Sequence, residues 1–279
     1  ASGCAGCRDR ADALRRGPAT LPMARPRESR ARVTPRHGLA RVLSKRGICS
    51  RTEAAALVRA GRVRVGGRVI LDPEHPTALD RDDIVIEGTV ARAAAPLYLM
   101  LNKPRGLVTT VRDEQGRDTV YRCLEGATLP DGTSLPWMAP VGRLDKASEG
   151  LLLFTNDPAW AAHVASPETG PAKTYHVQVD CVPDADVLAS LEQGVDVDGD
   201  RLSAARASLL RHGARNAWLE VVLDEGRNRQ IRRLLAAHGI GVLRLVRVAI
   251  GPVTLGTLPK GGWRMLADGE VDALAGRTS

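Results

Sequence analysis

Aromatic residues are scarce in this chain: 3 % of 279 residues, with a single Phe and three Tyr. A buried aromatic ring is therefore informative. No run approaches 18 uncharged apolar residues, which excludes a membrane-spanning helix. The cysteines are few and odd in number (Cys4, Cys7, Cys49, Cys123 and Cys181). Such a set makes no disulfide framework, and no secretory signal peptide is visible. This usage fits a reducing intracellular compartment, the cytoplasm. Cys4 and Cys7 have the spacing of half a zinc site, but no second pair accompanies them and the histidines are scattered, so no metal is expected. Neither G-x-x-x-x-G-K-[ST] nor G-x-G-x-x-G occurs, so no nucleotide cofactor is expected. The stretch 196–200 hints at a calcium loop, yet Arg201 and Ala207 stand where that loop needs Gly and Glu, and a polar turn is the better reading.

Basic residues, by contrast, are in excess. Lys and Arg total 40 against 32 Asp and Glu, a net charge of +8. A polyanionic partner is implied, and nucleic acid is the usual one. Residues 1–36 hold nine Arg, three acids and prolines at 18, 22, 26 and 35. With so little apolar surface to offset its ordering entropy, this segment reads as a basic disordered tail.

From Gly38 onward the pattern becomes periodic. Leu39, Val42 and Leu43 share one helical face, and Ser50-Arg51-Thr52-Glu53 reads as a capping box opening a second helix that stops at Gly61. Gly66-Gly67 lies between two short Val-containing strands and supports the positive φ of a tight hairpin. Arg41, Lys45, Arg46, Arg51, Arg62 and Arg64 concentrate on this small unit, as phosphate binding requires. The stretch GLARVLSKRGICSRTEAAALVRAGRVRVGGRVI resembles the S4 RNA-binding domain in order and spacing, and the unit is taken to span residues 37–92.

A short linker ending at Pro96 leads to residues 97–279. Short apolar strands are predicted at 97–101, 151–154, 174–179, 203–210, 217–223 and 243–250, with helices at about 187–193 and 228–238. No β-α-β repetition appears. The expected class is α+β, with a mostly antiparallel mixed sheet flanked by helices.

The segment VGRLDKASEGLLLFTND at 141–157 places a charged loop between glycines and feeds it into an apolar strand, a good platform for a reactive side chain. Together with YLMLNKPRGLVTT at 98–110, KTYHVQV at 173–179 and DEGRNRQIRRLLAAHG at 224–239, it resembles the RsuA/RluB/RluE/RluF-type pseudouridine synthases. The resemblance implies that Asp145 is the catalytic carboxylate, which either attacks the sugar or removes a sugar proton. It implies Tyr175 as the ring beside the flipped uracil, Arg232 as the cation keeping Asp145 ionised in a dry cleft, and Arg143 as the residue filling the space the base leaves. Lys103 and Arg105, in the NKPRG turn, are candidates for RNA contact or for holding the fold. The isomerisation conserves all atoms and electrons, so no cofactor is called for.

These features imply an enzyme acting on ribosomal RNA or a ribosome-assembly intermediate, on the large-subunit (RluB-like) branch. A monomer without membrane attachment is the expected form. The alternative is a non-catalytic RNA-binding or ribosome-assembly protein on the same scaffold. Two departures from the family pattern are Pro158 after Asp157 and Ser148 where Thr is frequent; a third is a longer, looser segment at 126–140.

Overall fold

The computed structural model describes residues 35–80, 83–91, 94–111, 113 and 115–277. Residues 1–34 of the expected tail, the Cys4/Cys7 pair among them, lie outside the described residues; its last residue, Arg36, opens the first strand, paired with Ala78, instead of belonging to a loose segment.

The first part of the fold, up to residue 91, begins with β1 (Arg36–Gly38), α1 (Leu39–Lys45) and α2 (Arg51–Arg59). Five short strands follow: β2 (Val63–Val65), β3 (Arg68–Val69), β4 (Pro76–Ala78), β5 (Ile84–Ile86) and β6 (Thr89–Val90). Leu39, Val42 and Leu43 of α1 pack on Ala54 and Val58 of α2 and on Val63 and Ile84, all fully buried. The capping box at α2 is present. Glu53 N–H donates to Ser50 Oγ at 3.1 Å, and Ser50 N–H donates to Glu53 Oε2 at 2.9 Å. β2 and β3 form the hairpin, with Gly66 and Gly67 at φ 57° and 77°. β1 pairs with β4, and the other four strands form a sheet in the order β3-β2-β5-β6.

The larger part contains β7 (Tyr98–Lys103), β8 (Ala139–Val141), β9 (Glu149–Thr155), α3 (Pro158–Ala165), β10 (Lys173–Val179) and α4 (Ala185–Gln193). It continues through β11 (Val195–Val197), β12 (Asp200–Leu202), β13 (Arg206–His212), β14 (Ala217–Leu223) and α5 (Gln230–Ala236). It ends with β15 (Val242–Ile250), β16 (Val253–Thr254), β17 (Trp263–Met265) and α6 (Asp268–Leu274). Seven strands run in the order β13-β14-β10-β15-β9-β7-β17, with β16 and β8 attached to β15 and β9. All pairs are antiparallel except β15 with β9.

β9 is buried along its whole length, which explains its unbroken apolar run. Leu151 and Leu153 pack with Trp160, Val164 and Ile250; Leu152 and Phe154 face the other way, against Leu99, Leu101, Val120 and Met138. β10 and β14 instead alternate. Val177, Val179, Leu219 and Val221 bury one face with Leu191 of α4 and with Ile231, Leu234 and Leu235 of α5. Asp157 caps α3 through Ala159 N–H and Trp160 N–H, with Pro158 at its first position. The stretch 196–200 closes the β11–β12 hairpin, with Asp198 and Gly199 at positive φ. The 126–140 segment is tied down rather than loose. Leu129 N–H bonds Thr133 O at 2.8 Å, and the Tyr121 hydroxyl donates to Met138 O at 2.9 Å.

Gly150 joins the two halves of the large sheet. It faces Arg247 across the parallel β9–β15 pair at φ 102°, and a Cβ there would stand 2.2 Å from Arg247 O. Gly142 also has positive φ but open space around it. Gly150→Ala is therefore expected to lower unfolding stability by on the order of 3 kcal/mol, because backbone must move. Gly142→Ala should cost only about 1–2 kcal/mol, the left-handed penalty alone. Urea-unfolding midpoints check both values, and equal losses would overturn the assignment.

Candidate active site

The loop 142–148 runs between β8 and β9, and its backbone is held from beneath. Lys103, fully buried on β7 opposite Gly150, sends its ammonium to three carbonyls: Asp145 O at 3.1 Å, Ser148 O at 2.8 Å and Pro104 O at 3.1 Å. Burial pushes that ammonium down to about 8, against the opposing pull of Glu149 and Asp145. The Thr109 hydroxyl donates to Leu144 O at 2.7 Å, and Gly106 N–H bonds Lys146 O at 2.8 Å. Leu144 is buried below while Arg143 and Lys146 are exposed. The backbone at Asp145 is thus fixed through its own carbonyl and those of its neighbours, without using its carboxylate.

That carboxylate opens onto a cavity of about 810 Å³. Arg143 and Asp145 come from the loop, Tyr175 from β10, and Arg229 and Arg232 from the start of α5; all five line it. The Asp145 side chain is 41 % exposed, so the cleft is not dry before a substrate enters it. Its ion pair is with Arg229, Nη1 to Oδ2 at 3.7 Å, rather than with Arg232. Arg229 occupies the N-cap of α5 in the left-handed region, at φ 48°, an uncommon place for a residue with a long side chain. Arg232, one turn on, donates weakly from Nη1 to Val242 O at 3.5 Å, and its Nε is buried without a partner. Burial, then Arg229, pulls the Arg232 guanidinium down, and the Asp145 charge opposes this.

Arg233 and Gln230 of this helix start are structural. Arg233 bonds Asp200 Oδ2 at 2.9 Å and Val197 O at 2.8 Å, fastening the β11–β12 hairpin. Gln230 is buried and donates to Ser203 O at 2.9 Å and Glu225 Oε1 at 2.7 Å. Tyr175 is half-buried and packs against two of the hydrophobic cores, that of Val177 and Leu219 and that of Leu99 and Phe154.

Two residues considered for RNA contact are internal, Arg46 against that expectation and Lys103 in the fold-holding role left open for it. Lys103 is sealed under the loop, as described. Arg46 is 5 % exposed, and its guanidinium donates to Ala91 O at 2.7 Å and to Leu79 O at 3.1 and 3.2 Å. A buried guanidinium needs acceptors, and these carbonyls supply them. Arg105 is exposed and close enough to Arg232 to disfavour its charge. Arg41, Arg51, Arg62 and Arg64 are exposed; Arg51 reaches Glu74 at 3.3 Å, Arg62 pairs with Glu87, and Arg64 caps Gly67 O at 3.2 Å. Lys45 is half-buried beside His37, whose imidazolium is disfavoured by desolvation and then by Lys45 and Arg41.

Sequence reasoning missed Lys173 and Arg247, which also line the cavity. Lys173 was within reach, because a strand places residues two apart on one face and Tyr175 follows at that spacing. Arg247 had no such signal. It stands in an apolar run, and only the antiparallel register sets it opposite Tyr175.

Residues 97–237 match the family model for RNA pseudouridylate synthases, and residues 38–77 match that for the S4 domain. An uncharacterized RNA pseudouridine synthase of Rickettsia conorii is 35 % identical over 229 residues, 82 % of this chain and 95 % of its own length. The ribosomal large subunit pseudouridine synthase B of Bacillus subtilis is 32 % identical over 238 residues, 85 % of this chain and 94 % of its own. A crystal structure of a pseudouridylate synthase, 26 % identical, superposes with a TM-score of 0.58 over 85 % of this chain and 99 % of that one. With an S4 domain ahead of a mixed, mainly antiparallel sheet, and with family and relatives matched along most of its length, the chain belongs to the RNA pseudouridylate synthases.

Proposed function

We propose that this enzyme isomerises a uridine of large-subunit ribosomal RNA, with Asp145 as the carboxylate that starts the reaction. The observation that carries the reading is the convergence of Asp145, Tyr175 and Arg232 from three separate elements on one cavity. The loop bearing Asp145 is pinned through its carbonyls, so the carboxylate is held in place without being consumed by internal bonds. The large-subunit assignment draws on the matched motifs and on the Bacillus subtilis relative.

A flipped uridine entering the cavity supplies the missing dryness. It displaces water from around Asp145, and in the drier site the nearby guanidiniums act on the carboxylate more strongly. Arg232 is half-buried and has an unsatisfied Nε, so its charge is the less screened of the two. Arg229 is 53 % exposed on its side chain, and its ion pair is screened by solvent. The Tyr175 ring offers an apolar face to the uracil, and Arg143, exposed at the rim, is placed to enter the gap left in the RNA stack. Flipping costs a few kcal/mol, which phosphate contacts from the cavity rim and from the exposed arginines of the S4 domain can offset.

Asp145→Asn is expected to abolish tritium release from 5-tritiated uridine in ribosomal RNA, by roughly 10³-fold or more, while RNA binding persists. Full activity in that variant would leave only an RNA-binding scaffold. Arg232→Met should lower the single-turnover rate about 100-fold and Arg229→Met only about 2- to 5-fold. The reverse order would move the supporting cation to Arg229. In a strain lacking the protein, a pseudouridine map should lose one large-subunit position; loss confined to small-subunit RNA would overturn the branch assignment.

A further inference from the structure

We propose that Lys173 and Arg247 form an anion subsite in the cavity, built to hold a backbone phosphodiester of the RNA beside the flipped uridine. The identity of the anion rests on the RNA-modifying reading above; the presence of the subsite rests on the residues themselves.

Arg247 lies directly across from Tyr175 in the β10–β15 pair, and Lys173 precedes Tyr175 by two positions on the same strand. The ladder is irregular between Thr174 and Tyr175, where Val248 is skipped in the register. Both side chains line the cavity that Asp145 opens onto. Arg247 is 5 % exposed, yet its guanidinium has a single hydrogen bond, from Nε to Leu151 O at 2.7 Å. Its Nη2 is buried with no partner. An orphaned guanidinium N–H in the interior costs free energy that a ligand acceptor would recover.

Lys173 adds to that cost. Burial disfavours its ammonium, and the charge of Arg247 disfavours it further, with only Asp224 in opposition. Among the described residues neither side chain has a carboxylate within ion-pairing distance. Two partly desolvated cations close to each other repel, and an anion between them would relieve the repulsion. A uracil carbonyl could accept the orphan N–H but would leave both charges uncompensated. A singly charged phosphodiester answers both needs, accepting from the guanidinium and offsetting the charge of the pair. Its role is positional: gripping the backbone next to the target sets the sugar against Asp145.

The test uses the full chain carrying Asp145→Asn, so that binding is read without turnover, and an oligouridylate as probe. Lys173→Met in that background should weaken oligouridylate binding about tenfold and reduce the log–log salt slope by about one. Oligouridylate with uncharged methylphosphonate linkages should bind both proteins equally. Arg247→Lys, which keeps the charge but loses the planar fork, should weaken the charged probe and leave the neutral one unaffected. An unchanged affinity and salt slope in a folded Lys173→Met protein would overturn the subsite, whatever Arg247→Lys does to stability. If the Lys173-dependent slope is present while wild-type protein releases no tritium from ribosomal RNA, the subsite stands and the proposed reaction falls. Tritium release with an unchanged slope would remove the subsite and leave the reaction standing.

Discussion

One buried ammonium organises the site. A loop that carries a reactive carboxylate must expose that group and still keep its own backbone still, and those demands conflict unless something satisfies its carbonyls from within. Lys103 does this from β7, reaching three carbonyls at 2.8 to 3.1 Å while fully removed from solvent. Burying a cation is costly, and it is tolerated here because the acceptors are preformed and the charges of Glu149 and Asp145 support it. The position of Lys103 in turn depends on the β7–β9 register, which sets it across from Gly150, and Gly150 depends on having no side chain where β15 runs alongside. The catalytic loop, the central strand and the parallel junction are therefore one mechanical unit.

Around that unit the cations divide by environment. Those on the S4 domain that reach solvent are held loosely, by exposed acids or a turn carbonyl, and remain free to exchange those partners for phosphates. Those in the cavity wall are constrained and under-satisfied: Arg232 and Arg247 each keep a buried donor without an acceptor. The first group suits long-range attraction of RNA, the second a fit to one bound geometry. Glu149 shows the opposite arrangement. Burial alone would raise its carboxyl, but Arg244 and Lys260, at 2.6 to 3.1 Å, outweigh that and hold it low.

Much of this was legible from the chain. The capping box at Ser50 and Glu53, the hairpin at Gly66-Gly67, the uninterrupted apolar run 151–154 inside β9 and the alternation along β10 follow from backbone chemistry acting over a few residues. The ordered motifs pointed to the family by themselves. What escaped was the fate of individual cations. Lys103 and Arg46 look in the sequence like any other basic residue near a glycine, yet both are internal, because the surrounding carbonyls that accept from them come from segments up to 45 residues away. Arg229 and Arg232 are neighbours at one short helix, and only the packing of that helix against the loop decides which of them meets Asp145 first.

Local patterns of hydrophobicity, capping and turn residues were enough to specify the two N-terminal helices, the Gly66-Gly67 hairpin, most of the longer strands and the loop that carries Asp145. Each of those depends on contacts within a few residues of chain. Which charges are sealed, which are exposed and which are left wanting an anion depends on strand register and on the distance between elements far apart in the chain. Arg247 is the clearest case: its neighbours in sequence are apolar, and its meaning comes from the cross-strand pairing that sets it beside Tyr175 and Lys173. Electrostatics at such range is a property of the assembled fold, because the dielectric around a charge is created by the packing itself.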